Sequence, residues 1–214
     1  MTLWLVRHAQ PLVEAGICYG ALDLAADPAA TTRTARALAE ALPAGIVLRS
    51  SPLQRCTRLA KALLALRADL SLQTDARLAE MNFGRWEGRA WDALPRAELD
   101  AWTADFAHYR AGGLGESVHQ VMERVGQALD DARCSGRDQV WITHGGVVKA
   151  ASLLARGVCR VENPCDWPSQ GLSWGQWCQM EPGPGQPVPR AGPPAAQRGP
   201  PPPLPSQPPP ARPR

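Results

Sequence analysis

Apolar and polar positions are distributed along this chain in two recurring patterns. Leu3 to Val6 is an unbroken apolar run with no turn former inside it. A strand covered on both faces of a sheet reads this way. Val140 to Thr143 repeats the pattern, and Ile46 to Leu48 and Leu70 to Gln73 read as shorter strands. Leu172 to Met180, with two tryptophans, reads as a last edge strand. The second pattern is helical. Asp27-Pro28 places a capping carboxylate before a proline at the first helical position, which predicts a helix through Leu42, ahead of Pro43. Ser51-Pro52 repeats that signal and predicts a helix with Arg55 in its first turn. Leu59, Leu63 and Leu66 then recur at helical spacing. Residues 76–90, interrupted by Gly84 and Gly88, are expected to be irregular. Helices are expected over 91–108 and 116–134, and from the His144-Gly145-Gly146 turn through Ala155. Strands that alternate with helices predict an α/β fold of three layers, α/β/α, around a largely parallel sheet.

Composition changes the picture at one end. Fifteen of the 33 residues from Pro182 to Arg214 are proline, four of them consecutive at 200–203. Such a segment cannot build a core and is expected to be disordered or polyproline II, so the domain is placed at residues 1–181 and the tail at 182–214. A proline-binding domain is the partner such a tail would suit. The net charge of +3 also belongs there, because the tail carries +4 and no acid. The body is left at −1, which argues against a nucleic-acid surface. The six cysteines form no Cys-x-x-Cys pair, and no His-Glu-x-x-His occurs, so no metal site is expected. The leading apolar run is too short for a secretory h-region, and no stretch is long enough to span a membrane. Scattered thiols then fit a reducing cytoplasm.

Candidate chemistry collects at the ends of the strands. Arg7 and His8 fall where the first strand runs out, and ligands of open α/β sheets bind beyond the carboxyl ends of the strands. Arg55 lies near the start of a helix, where free N–H groups and the dipole favour phosphate. His144 ends the apolar strand Val140 to Thr143.

Four motifs in this order, Val6-Arg7-His8-Ala9, Ser50-Ser51-Pro52-Leu53-Gln54-Arg55, Arg77-Leu78-Ala79-Glu80 and Ile142-Thr143-His144-Gly145-Gly146, resemble the histidine phosphatases, the phosphoglycerate mutase-like superfamily. The resemblance covers roughly residues 1–180. It implies a phosphoglycerate mutase-like fold and a phosphomonoesterase that passes its phosphoryl group through a histidine. His8 would be the nucleophile, since a neutral imidazole is available near pH 7. Arg7 and Arg55 would hold the phosphate by their planar forks, and His144 would donate to another of its oxygens. With that many donors no metal or other cofactor is required. The resemblance makes Glu80 the acid for the leaving oxygen, then the base that activates water. Glu87, in Trp86-Glu87-Gly88, belongs to the same signature and reads as structural, whereas Glu116 and Ser117 read as the start of a helix that faces the pocket.

Two positions depart from the family pattern: Ala9 stands where Gly is usual, and Glu14 near where Asn often adds a phosphate contact. The loop Gly16-Ile17-Cys18-Tyr19-Gly20 and the stretch Gly171-Leu172-Ser173-Trp174-Gly175 resemble the α-ribazole phosphatase branch, which acts on an intermediate of cobalamin synthesis. Two other readings stay open. One is a phosphoglycerate mutase, although the spacing from Glu80 to His144 is short for the insertion that branch carries. The other is a non-catalytic binding protein that works through its proline-rich tail. The eight tryptophans read as packing, since no basic run accompanies them.

Overall fold

A computed structural model describes residues 1–181 and 190–191. In chain order the elements are β1 (Leu3–Arg7), α1 (Pro28–Ala41), β2 (Val47–Ser50), α2 (Gln54–Leu64), β3 (Leu72–Thr74), α3 (Arg96–Ala104), α4 (Val118–Ser135), β4 (Gln139–Thr143), α5 (Gly145–Ala155), β5 (Trp177–Met180) and β6 (Arg190–Ala191), with single turns of 3-10 helix between. The sheet order is β3-β2-β4-β1-β5-β6. The first four of these strands pair in parallel, β5 pairs antiparallel with β1, and β6 pairs antiparallel with β5.

Alternation along β1 explains its unbroken apolar run. Leu3 and Leu5 point into the core beneath α4 and α5, together with Trp141. Trp4 and Val6 point into the opposite core against α1 and α2, together with Val140 and Ile142. Both faces are dry, so the three layers expected from the pattern are present. Asp27 caps α1 by accepting from Ala30 N–H at 2.6 Å, and the helix ends at Leu42, ahead of Pro43.

Three expectations are corrected. The helix with Arg55 begins at Gln54 and has Leu53, not Ser51, as its N-cap, without a side-chain cap. Ser51 is used elsewhere, as described below. The expected helix over 91–108 is broken by Pro95: Trp91–Ala93 is a 3-10 turn, and only Arg96–Ala104 is α-helical. Residues 172–176 do not join the edge strand, because their backbone turns to bond β1. Gly175 N–H donates to the carbonyls of Arg7 and His8, and Arg7 N–H donates to Gln176. Arg190–Ala191 pairs with β5, and the rest of the stretch 182–214 lies outside the described residues.

Leu5 is fully buried between β4, β5 and α4. Leu5→Ala is expected to destabilise the fold by about 2–5 kcal/mol. Urea unfolding measures this, and a loss under ~1 kcal/mol would show that the core can close around the gap.

Candidate active site

Parallel pairing brings the first functional residues together. Arg7 is level with Thr143, so the next residues out, His8 and His144, leave the sheet side by side. His8 N–H donates to the Thr143 carbonyl at 3.0 Å, and the two rings meet edge to face with centroids 5.1 Å apart. On the far side of β4, Ser50 is level with Ile142, which delivers Ser51 to the same place.

The bonds of His8 fix its tautomer. Its Nδ1 lies 2.6 Å from the Ala9 carbonyl, which can only accept, so Nδ1 carries the proton and Nε2 keeps its lone pair. Burial, then Arg55, pushes the His8 pKa down to about 3, with a smaller push from Arg7. The ring is neutral at physiological pH. The Ala9 carbonyl sets the tautomer, although its hydrogen bond opposes the downward shift, and the Ala9 methyl is accommodated in the buried interior.

Arg55 has no exposed surface. Its Nη1 and Nη2 donate to the carbonyls of Leu22 at 2.8 Å and Gly20 at 2.5 Å, and its Nε donates to His144 Nδ1 at 3.2 Å. Two further N–H groups of the fork remain. His144 must therefore carry its proton on Nε2, which lies 2.8 Å from Ser51 Oγ and 3.4 Å from Cys56 Sγ. Here the structure differs from expectation. Both nitrogens of His144 are engaged by protein, so the ring orients Arg55 and packs against His8 instead of presenting a free N–H. Burial, then His8 and Arg55, hold His144 well below the ordinary histidine pKa.

Arg7 is the less satisfied cation. Nη1 donates to the Leu172 carbonyl at 2.7 Å, the guanidinium lies 5.4 Å from the Trp174 ring, and Nε–H is buried with no hydrogen-bond partner among the described residues. Burial lowers its pKa, and Tyr19 and Glu80 oppose that. An unmet buried donor costs about 1–3 kcal/mol, which an anion would relieve.

Glu80 reaches the same space from the 79–83 loop. Its Oε2 accepts from Gly146 N–H at 3.0 Å, in the first turn of α5, and its Oε1 accepts from Met81 N–H at 3.1 Å. Of the two α5 glycines at this end, only Gly146 lacks room for a side chain. A Cβ on Gly146 would collide with Glu80 Oε1, and one on Gly145 would sit 3.4 Å from Arg7 Cζ.

All five expected residues thus share one site. The sequence reading missed what holds them. Arg124 donates to the carbonyls of Arg77 and Ala79 at 2.6 and 2.8 Å and pairs with Glu116, which accepts from Asn82 N–H at 2.9 Å. That pair clamps both sides of Glu80, so Glu116 is a clamp and not a pocket residue, while Ser117 closes a capping box with Gln120 at the start of α4. Glu87 is structural, as expected. It accepts from the N–H groups of Ala21, Leu22 and Phe83, fixing the loop whose carbonyls hold Arg55. Glu14 is exposed, and only its backbone carbonyl is used, by Ile17 N–H. Among the described residues no group of three or more His, Cys, Asp or Glu is arranged to hold a metal.

Two outcomes follow from this geometry. The folded pKa of His8 lies below the 6.5 of the unfolded chain, so unfolding takes up a proton between about 3 and 6.5. Its contribution is complete above pH 6.5 and is lost as the pH falls, and His144 adds in the same direction. The melting temperature should drop from pH 7 to pH 4, and less so in His8→Gln; equal drops in both proteins would exclude His8 as a source. In the second case, Gly146→Ala suits a helix yet displaces the Glu80 carboxylate. Turnover of an alkyl phosphate should fall on the order of 10²-fold or more, while p-nitrophenyl phosphate, whose leaving group needs little protonation, is much less affected. Wild-type rates with both esters would show that the carboxylate does not depend on this contact.

Comparison with known proteins agrees with the geometry. A candidate phosphoserine phosphatase of Hydrogenobacter thermophilus is 29% identical over 162 residues, covering 73% of this chain and 79% of its own. Among solved structures, a mycobacterial glucosyl-3-phosphoglycerate phosphatase is 27% identical with a TM-score of 0.67, over 84% of this chain and 89% of that one. The Thermus thermophilus protein TTHB049 is 31% identical with a TM-score of 0.64, over 85% and 94%. The family profile matches residues 3–165, which include His8, Arg55, Glu80 and His144, and the chain belongs to the Histidine phosphatase superfamily (branch 1).

Proposed function

We propose that this histidine phosphatase hydrolyses a small phosphomonoester in two displacements at His8. The observation that carries the reading is a buried, neutral imidazole with its Nε2 lone pair free, set between two arginines of which one has an unpartnered buried N–H. His8 Nε2 attacks phosphorus, the ester P–O bond breaks, and the leaving oxygen takes the proton of Glu80. Glu80 then removes a proton from water, the water oxygen attacks phosphorus, and the P–N bond breaks. Phosphate leaves, and both side chains return to their starting states. Arg7 and the remaining N–H groups of Arg55 offset the charge on the equatorial oxygens throughout. No step calls for a metal.

Two aromatic side chains support a substrate reading within this class. Tyr19 lies 5.7 Å from the Arg55 guanidinium and Trp174 5.4 Å from that of Arg7, one from each stretch that resembles the α-ribazole phosphatases. Tyr19 and Trp174 also hydrogen-bond to each other, and the pair would suit the base of α-ribazole 5′-phosphate. The relatives are named for phosphoserine and glucosyl-3-phosphoglycerate, so all three esters belong in one screen for released phosphate, with chelator present. The six unpaired cysteines favour a reducing compartment.

Rapid quenching with ³²P-labelled substrate should trap an acid-labile, base-stable phosphoprotein, and His8→Ala should abolish both the label and turnover. Label that persists in His8→Ala would place the nucleophile elsewhere. Isomerisation of phosphoglycerate without net release of phosphate would convert the reading to a mutase.

A further inference from the structure

Only two lysines occur in the chain, and one of them stands at the site. Lys149 lies on α5 one turn beyond Gly145 and Gly146, on the face that meets Arg7 and Glu80. Helical side chains lean toward the N-terminus, so its stem runs back toward those two residues. The 171–175 loop covers that stem: a Cβ on Gly171 would lie 3.1 Å from Lys149 Cε, and the next residue, Leu172, is the one that holds Arg7. The residue is half-buried, yet among the described residues it has no hydrogen bond and no ion pair within 4 Å. Its surroundings are felt electrostatically. Burial, then Arg7, lower its pKa, and Glu80 opposes them.

A lysine with no partner, held in an already cationic site, is a poor choice for stability. The phosphate has Arg7 and Arg55, and the leaving group must lie on the Glu80 side, because Glu80 protonates its oxygen. Lys149 flanks that side. We propose that Lys149 determines specificity by receiving a second anionic group carried on the leaving group, so that the preferred substrates are alkyl phosphates with an acid near the ester carbon. This rests on the phosphomonoesterase reading above. An ammonium is a compact point charge with three donors, suited to an oxyanion whose position varies among substrates.

The matched pair 2-phosphoglycolate and ethyl phosphate tests it, since the two differ by one carboxylate. The wild-type enzyme should prefer phosphoglycolate in kcat/KM. Lys149→Met should lower kcat/KM for phosphoglycolate on the order of 10–100-fold, the worth of one hydrogen bond to a charged group, mainly through KM. The loss for ethyl phosphate should be at least tenfold smaller, and Lys149→Arg should restore part of the preference. Equal losses with both esters would overturn the proposal and place Lys149 on the phosphate or on Glu80. Lack of a wild-type preference would also overturn it, and needs no variant to fold. If the wild-type protein releases phosphate from neither ester nor from p-nitrophenyl phosphate, the phosphomonoesterase reading itself has failed, a distinct result.

Discussion

A guanidinium with no exposed surface and, among the described residues, no carboxylate within ion-pair distance is the constraint on which this molecule depends. Isolating a charge from water costs several kcal/mol unless its donors are met. Arg55 meets that requirement with two main-chain carbonyls and one imidazole, none of which cancels its charge. The carbonyls belong to a loop with no regular structure, so the loop must be fixed by something else, and Glu87 does this from the other side of the site. The imidazole can accept only while neutral, so His144 cannot charge without losing the bond to Arg55 and facing it as a like charge. One buried cation thereby dictates a loop, a tautomer and a distant carboxylate.

The same field acts on His8. His8 is neutral because it is buried beside uncompensated arginines, and the neighbouring carbonyl of Ala9 leaves the lone pair on Nε2. Folding works against its own interest here, since each of these choices would be cheaper with an acid nearby. The carboxylate that does approach, Glu80, is held by main-chain N–H groups of Met81 and Gly146 and has no ion-pair contact with either arginine. The positive excess is left for a ligand.

Much of this was legible in the sequence where one short stretch carries the whole instruction. The apolar runs of β1 and β4 show strands buried on both faces, and the residue that follows each strand, His8 or His144, is one of the two site histidines. Asp27-Pro28 is a sufficient helix start. Ser51-Pro52 is not, because the Ser51 hydroxyl is taken by His144 across the sheet, a contact with no local signature. Residues 172–176 have the apolar character of a strand, but hydrogen bonds from Gly175 to Arg7 and His8 bend them away. Pro95 does interrupt the helical pattern over 91–108, and there the local rule prevails. The clamp of Arg124 and Glu116 was not legible, since its hydrogen bonds join residues as many as 47 positions apart. Nor was the need for Gly146, which depends on an oxygen of Glu80, 66 residues earlier in the chain.

The level pairing of β1 with β4 has a consequence for how such a chain can change in length. Successive residues of a strand face opposite layers, so one residue added or removed within Leu3–Arg7 would exchange the two cores and turn His8 away from His144. The connections behave otherwise. The stretch from Arg156 to Leu172 holds no α-helix or strand and reaches the site only at its last residues. Insertions there would reshape the rim while the strand ends stay in step. Divergence in this architecture is therefore channelled into the walls around the leaving group, and the frame that handles the phosphoryl group is kept by the count of residues in two strands.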